Sequence, residues 1–175
     1  MNEFQVIVWL LPIVFMVHDF EEIIFFKSWI TKNSPYLKKR FPSLAKRLLP
    51  RIEALSVPAF TVAVFEEFVL LSIITFTAFY FDYYSIWLAV FMAFFIHLLI
   101  HIIQWIVLKR YIPSIITAIL ALPYCIWGFI IVLRSHLFTA SVIILLSLAG
   151  VLFMILNLLF AHILAEKFDK KISIE

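Results

Sequence analysis

Long apolar runs separated by short polar stretches set the pattern of this chain. Five such runs cover the ranges 4–27, 57–81, 84–108, 112–133 and 138–164. Each is long enough to cross the roughly 30 Å hydrocarbon core of a bilayer as an α-helix. The pattern therefore predicts an all-α, polytopic bundle of about five transmembrane helices.

Composition strengthens this prediction and excludes an ordinary soluble domain. Hydrophobic residues make up 65% of the 175 residues, aromatic residues make up 18%, and only two glycines occur. The longest polar stretch, 31–56, is too short to build a core of its own, so residues 1–175 are expected to form one membrane-embedded domain. The first apolar run carries His-Asp-Phe-Glu-Glu and no preceding Lys or Arg, unlike a signal peptide, so we expect it to remain as a spanning helix.

The distribution of positive charge predicts an orientation. Seven Lys and Arg residues lie in the segment 31–56, and the basic residues after the third and fifth runs fall on the same side of the predicted bundle. Only Arg134 falls in a loop on the other side. Because cytoplasmic loops carry the excess of Lys and Arg, we expect a multi-pass protein of the cell membrane with its N-terminus outside and its C-terminus in the cytoplasm. The net charge of +3 reflects this asymmetry and does not indicate a nucleic-acid partner.

The basic segment 31–56 itself contains apolar residues at helical spacing, namely Leu44, Leu48, Ile52 and Leu55. A basic amphipathic helix of this kind lies on anionic lipid of the inner leaflet. Pro50 is expected to break or kink it. The alternative is a solvated basic loop that only sets the topology.

Ionisable residues inside the apolar runs are the strongest functional signal. His18, Glu22, Glu66, His97 and His101 all fall at a similar depth in the predicted cytoplasmic half of the bundle. Burying such groups in hydrocarbon costs several kcal/mol unless they are paired, bind a metal or face a wet cavity. Their common depth therefore predicts one shared site, with Glu21 and Glu67 in the same layer.

Helical geometry divides these residues among faces. His18 and Glu22 lie one above the other, whereas Glu21 lies some 60° to the other side. His97 and His101 share a face with Gln104, and this i, i+4 pair of imidazoles is the strongest metal-binding pattern in the chain.

The remaining polar residues are expected to support the site or to pack helices. Glu66 shares a face with small residues and is preferred to Glu67 as the inward group. Asn157 and His162 cannot both face inward on a regular helix, so His162 is a ligand only if a local bulge intervenes, and is otherwise an interfacial histidine. The supporting or packing residues are Asp19, Glu67, Gln104, Thr117, Tyr124 and Asn157.

His18-Asp19-Phe20-Glu21-Glu22 reads HxxEE, and the chain resembles the HXXEE domain family of small bacterial membrane proteins over nearly its whole length. Other matching features are the glutamate of the second run, His97-x-x-x-His101, and Arg110-Tyr111-x-Pro113 followed by Thr117 and Pro123. The chain departs from the pattern at Ser114, where a glycine is expected. The resemblance implies a metal-dependent membrane enzyme and names no substrate.

The side chains available suit a divalent metal, with zinc favoured and iron or manganese as alternatives. The candidate ligands are His18, Glu22, Glu66, His97, His101 and His162. In the preferred hypothesis, zinc activates water, Glu21 or Glu22 accepts its proton, and a lipid-like ester, amide or peptide is hydrolysed.

Several alternatives remain open at this stage. A carboxylate-bridged di-metal oxidoreductase ranks second among enzymes, and haem ranks third. A metal-free glutamate protease would require an arginine where Phe26 stands. Outside the enzymes, the residues could form a proton or ion relay, or hold together a non-catalytic membrane subunit.

Overall fold

A computed structural model describes residues 2–172 of the chain. These residues form six α-helices and contain no strand, so the predicted all-α class is confirmed. The helices are α1 (Glu3–Arg40), α2 (Pro42–Ala54), α3 (Val57–Phe81), α4 (Tyr84–Leu108), α5 (Ile115–Arg134) and α6 (Ala140–Ile172).

Four of these helices, α3 to α6, are long and apolar enough to cross a membrane, and the chain is a membrane protein by this criterion. Two of the predicted spans, 57–81 and 84–108, coincide with α3 and α4. The first predicted span, 4–27, is not one of the four. It lies within α1, which bears charged residues inside its apolar stretch and continues past it to Arg40. The membrane sides assigned to the loops remain a prediction.

Helix α4 is the centre of the bundle and packs against α1, α3, α5 and α6. Its Trp87, Phe91 and Leu98 side chains are fully buried, and they share a core with Val8 and Leu11 of α1. The apolar side chains of α6 mostly point away from the bundle, as expected for a helix whose outer face meets lipid. The core thus fixes α1, which carries His18, against α4, which carries His97 and His101.

Helix α2 packs on α1 alone. It runs through Pro50, so this proline does not break the helix, and the alternative that it kinks the helix stays a prediction. A proline late in a helix removes only one backbone hydrogen bond there, and tertiary contacts hold the segment. Of the predicted apolar stripe, Leu44 and Leu48 are exposed, whereas Ile52 packs against the cluster of Ile30, Ala45 and Leu49, and Leu55 is buried.

Polar contacts at its C-terminal end also hold α2 in place. The ammonium group of Lys27 in α1 donates to the carbonyl oxygens of Glu53 (2.7 Å) and Leu55 (2.8 Å), which satisfies free carbonyls at the end of the helix. The Ser34 hydroxyl donates to the Glu53 carboxylate. Arg51 forms an ion pair with Glu166 of α6.

Gly150 of α6 lies against the backbone of α4. A Cβ atom at this position would be 1.9 Å from the carbonyl oxygen of Ala89 and 2.6 Å from its carbonyl carbon. Small residues at such crossings let membrane helices approach closely. The α4–α6 contact therefore depends on a residue without a side chain.

We expect Gly150→Ala to destabilise the bundle by roughly 1–3 kcal/mol, because the added methyl group forces two backbones apart. Thermal unfolding in detergent measures this effect. Leu148→Ala is the matched control, since Leu148 lies on the exposed face of the same helix. Equal melting temperatures for the two variants would contradict the close approach.

Candidate metal centre

Four side chains from two helices converge inside the bundle. His18 and Glu22 of α1 and His97 and His101 of α4 each offer one ligand atom, and these four atoms all lie within 4.8 Å of one another. Each pair is spaced i, i+4, so each lies on one face of its helix, and the α1–α4 contact brings the two faces together. The structure thus assembles four of the six predicted ligands.

The individual distances fit the coordination of one ion. His101 Nε2 lies 2.8 Å from His97 Nε2 and 3.1 Å from Glu22 Oε1. Ligands of a tetrahedral zinc ion, with zinc–nitrogen distances of about 2.0–2.1 Å, are about 3.3 Å apart. These two distances are slightly shorter than that value and all four ligand atoms lie within 4.8 Å of one another, so one ion could be held after small shifts of the side chains.

His18 is completely buried, and its two ring nitrogens have different environments. Nδ1 lies 3.2 Å from the Thr117 hydroxyl oxygen. That hydroxyl donates to Glu21 Oε2 (2.7 Å), so it accepts the Nδ1–H of His18. This network assigns a lone pair to Nε2, which is buried and has no hydrogen-bond partner. A buried acceptor without a partner is costly, and a metal ion would satisfy it.

His101 is oriented in the same way by neighbours at its other nitrogen. Its Nδ1 lies 3.1 Å from Gln104 Oε1 and 3.0 Å from Ser114 Oγ. The Ser114 hydroxyl donates to the carbonyl of Pro113, so it accepts from Nδ1–H. Nε2 of His101 therefore directs its lone pair toward His97 and Glu22. Partners of this kind fix the tautomer and ring orientation of metal-binding histidines.

The backbone conformation of Ser114 explains why the HXXEE pattern has a glycine at this position. Its φ is 81°, in the left-handed region that favours glycine. The serine occupies the backbone conformation for which a glycine is expected, and its hydroxyl reaches His101.

Glu21 lies outside the four-residue cluster. Its Oε2 accepts from the backbone N–H of Thr117 (2.8 Å) and from the Thr117 hydroxyl, and its Oε1 accepts from the Tyr111 hydroxyl (2.7 Å). Burial raises the pKa of the Tyr111 phenol and the hydrogen bond to Glu21 raises it further, so the phenol stays a donor. Three donors occupy this carboxylate, and the geometry favours a positioning role over the predicted role in proton transfer.

The structure does not bring the other two predicted ligands into the cluster. Glu66 accepts a hydrogen bond from the Asn157 side chain (3.2 Å). His162 makes a 2.7 Å contact from Nδ1 to the carbonyl oxygen of Leu158, and α6 is a regular α-helix there without the bulge that a ligand role required. Glu66 thus links α3 to α6, whereas His162 bonds a carbonyl oxygen within α6.

The remaining supporting residues are placed as follows. The Tyr124 hydroxyl donates to the carbonyl oxygen of Ile7 (2.9 Å), which joins α5 to α1. Asp19 is buried, has one oxygen without a hydrogen-bond partner, and interacts electrostatically with Glu22 and Glu67. Glu67 lines a small cavity of about 70 Å³ together with His97 and Asn157. Of the predicted supporting residues, Gln104 and Thr117 contact the clustered histidines directly.

A much larger cavity, of about 710 Å³, reaches the cluster from the side of α2. Glu22 and His101 are among the residues that line it, and most of the others are apolar. Cavities of this size accommodate small-molecule ligands. Two members of the cluster are thus accessible from one large space.

Tyr111 and Ser114 were not predicted as site residues. Both precede α5 in the segment that follows α4, where periodicity carries no information about side-chain direction. The one signal that pointed to them was their place in or beside the Arg110-Tyr111-x-Pro113 motif.

The fold and the cluster together define an all-α membrane protein with a buried site of three histidines and one glutamate. A family model described as "Protein of unknown function with HXXEE motif" matches residues 9–128, and the chain belongs to this family. The matched region contains all four clustered residues and also Glu21, Tyr111, Ser114 and Thr117. No curated protein and no solved structure matches the chain.

We expect Thr117→Val to weaken zinc binding about 10- to 100-fold, because it removes the hydroxyl that orients His18. Thr117→Ser retains the hydroxyl and should bind zinc like the unmodified protein. Zinc titration against a competing chelator measures both affinities. If the two variants bound zinc equally well, the Thr117 hydroxyl would have no part in orienting His18.

Proposed function

We propose that this protein is a metal-dependent membrane hydrolase. In this proposal His18, His97 and His101 hold one divalent ion, with zinc favoured and iron or manganese as alternatives, and Glu22 accepts the proton of the attacking water. The proposal rests on the convergence of four ligand atoms within 4.8 Å of one another. One of the four residues, His18, has a buried nitrogen without a hydrogen-bond partner.

The environment of the imidazoles supports a cation between them. His97 Nε2 and His101 Nε2 are 2.8 Å apart, and the proton of His101 is assigned to its other nitrogen. Without an ion, a neutral His97 can donate its Nε2–H to His101 Nε2, and the same spacing lets both nitrogens face one ion once that proton is lost. The nearby carboxylate of Glu22 further favours positive charge at this point.

The ligand set favours one ion over two. Carboxylate-bridged di-metal centres use several glutamates from facing helices. Here Glu22 is the one carboxylate in the cluster, since Glu21 is held by Thr117 and Tyr111 and Glu66 by Asn157. Imidazole and carboxylate ligands with no thiolate suit zinc, iron and manganese. A single centre suits hydrolysis better than di-metal redox chemistry.

The proposed reaction needs few steps from the protein. When bound, a divalent ion lowers the pKa of a coordinated water to about 7. Glu22 faces the large cavity and would serve as the general base for a water molecule that attacks from that side. The water oxygen then bonds to the carbonyl carbon of an ester or amide, and the bond from that carbon to the leaving group breaks. Glu22 returns the proton to the leaving alcohol or amine.

Helix packing alone does not account for the cluster. Groups buried only to join helices are normally paired with each other, whereas His18 Nε2 has no partner. An ion path would need polar groups beyond the cluster toward the other end of α4, but Phe91 and Trp87 are fully buried apolar side chains there. Neither alternative is favoured by an observation of its own.

We also propose that the protein resides in the cell membrane and that its basic segment contacts anionic lipid. Lys38, Lys39 and Arg40 at the end of α1 and Lys46 and Arg47 on α2 are all exposed. Each cation near an anionic surface contributes about 1 kcal/mol.

We expect His97→Ala to lose the bound metal while it remains a folded bundle, because only two of the three imidazoles proposed to hold the ion are left. His162→Ala is the control, since His162 lies outside the cluster and should leave the metal content unchanged. Elemental mass spectrometry on protein purified without chelator, and after zinc loading, measures both. Absence of metal from the unmodified protein after zinc loading would overturn the proposal.

We expect Glu22→Gln to retain zinc on the three imidazoles but to lower kcat by about 10²–10⁴-fold, because a general base is removed. Hydrolysis of p-nitrophenyl butyrate by the zinc-loaded protein gives the rate. A variant that retains full activity would rule out Glu22 as the base.

We expect the double substitution of Lys46→Glu and Arg47→Glu to reduce the retention of phosphatidylglycerol, because it reverses the charge of α2. Native mass spectrometry of protein extracted from mixed-lipid vesicles measures the retained lipid. Arg134→Glu, in the loop predicted to lie on the other side, should have no such effect. Equal retention in all variants would contradict this contact.

A further inference from the structure

The cavity of about 710 Å³ lies between α2 and the face of the bundle that α4 and α6 present. Helix α2 packs on α1 and makes no backbone approach to α4 or α6, which leaves the space open between them. Its polar lining is confined to six residues, namely Glu22, Arg51, His101, Gln104, His162 and Glu166. All other lining residues are apolar.

The polar groups are distributed unevenly around the cavity. Glu22, His101 and Gln104 belong to the cluster or contact it. Arg51 and Glu166 pair with each other from α2 and α6, and their side chains are 51% and 41% exposed, so they lie at the edge of the cavity. An apolar wall connects the reactive cluster with this exposed ion pair.

The walls nearest the lipid are formed by exposed apolar side chains. Leu44 and Leu48 of α2, Ile103 of α4 and Leu159 of α6 line the cavity and are also exposed on the outer surface. If α2 lies at the membrane surface, as proposed above, an apolar molecule could enter between α2 and the bundle along these side chains.

The charges of the lining favour a neutral ligand. The cluster end bears the carboxylate of Glu22, and the one arginine of the lining is already paired with Glu166. Away from the cluster, where the metal ion is proposed to lie, an anionic head group would meet Glu166 and no free cation among the described lining residues. The volume of the cavity suits one acyl chain. A two-chain lipid has about twice the apolar volume of a one-chain ligand and is too large for it.

We propose that this cavity binds the acyl chain of a neutral, single-chain ester or amide and presents its carbonyl carbon to Glu22 and His101. The inference rests on the proposed hydrolase function and names its substrate class. Water supplies the oxygen that bonds to the acyl carbon, the C–O or C–N bond breaks, and the products are a fatty acid and an alcohol or amine.

A pair of substitutions on α4 tests the acyl site. Ile103 and Ile106 are 58% and 60% exposed on the same helix, but only Ile103 lines the cavity. The unmodified zinc-loaded protein in nanodiscs is expected to hydrolyse p-nitrophenyl palmitate with a kcat/KM at least tenfold above that for the butyrate ester. Ile103→Trp should abolish this preference through KM, and Ile106→Trp should preserve it.

A second matched pair of substitutions tests the acyl site even if a variant of the first pair misfolds. Leu159 and Leu156 of α6 are 54% and 58% exposed, and only Leu159 lines the cavity. Leu159→Trp should reproduce the loss of chain-length preference, and Leu156→Trp should not. Melting temperatures of all four variants establish that each is folded.

Binding is measured separately from turnover, so that the two proposals can fail independently. A palmitoyl amide carrying a diazirine on its chain is crosslinked to the protein by light, and labelled peptides are identified by mass spectrometry. Labelling of α2, α4 and α6 peptides that falls at least fivefold in Ile103→Trp, but not in Ile106→Trp, supports the acyl site. The same labelling in a protein that binds no metal would support the acyl site and overturn the hydrolase.

The opposite results would overturn the acyl site. One is zinc-dependent hydrolysis with no preference for chain length and no labelling of cavity peptides, which leaves the hydrolase intact. The other is equal labelling of the Ile103→Trp and Ile106→Trp variants, which would mean that the probe binds the lipid-facing surface.

Discussion

The cost of holding ionisable side chains in an apolar bundle is the constraint on which the rest of this structure depends. His18, Glu22, His97 and His101 lie where water is scarce, and each needs a partner. The contact of α1 with α4 provides those partners, because it brings the His18–Glu22 pair next to the His97–His101 pair. Thr117 contacts Nδ1 of His18, and Gln104 and Ser114 contact Nδ1 of His101.

The same constraint accounts for the position of α2. An amphipathic helix of 13 residues has little stability by itself, and Pro50 weakens it further. Lys27 of α1 satisfies carbonyls at its end, and Arg51 reaches Glu166 across the cavity. These contacts hold α2 beside the bundle without closing the space that leads to Glu22. Lys27 and the Arg51–Glu166 pair therefore stabilise α2 in a position that leaves the cluster accessible from the cavity.

Hydrophobic length and helical spacing predicted most of the architecture and the centre of the site. The spans at α3 and α4, the HxxxH pair and the His18–Glu22 pair all follow from periodicity within one helix. Periodicity does not predict which helix faces which. It therefore could not predict the hydrogen bond between Glu66 and Asn157, or those of Glu21 with Thr117 and Tyr111. It identified the apolar stripe with Leu44 and Leu48 on α2, but it did not predict that Ala45 and Leu49 pack on Ile30 of α1.

Ser114 shows how a local cost is offset by the site. A residue with a side chain at φ 81° is less favourable than glycine by roughly 1–2 kcal/mol. Glycine, however, has no hydroxyl to accept the Nδ1–H of His101, and Gln104 would then orient that ring alone. A hydrogen bond to a buried, charged or metal-binding group contributes about as much as the backbone cost. The serine is therefore best understood as a positioning residue of the cluster, held in a conformation that its own hydrogen bond compensates.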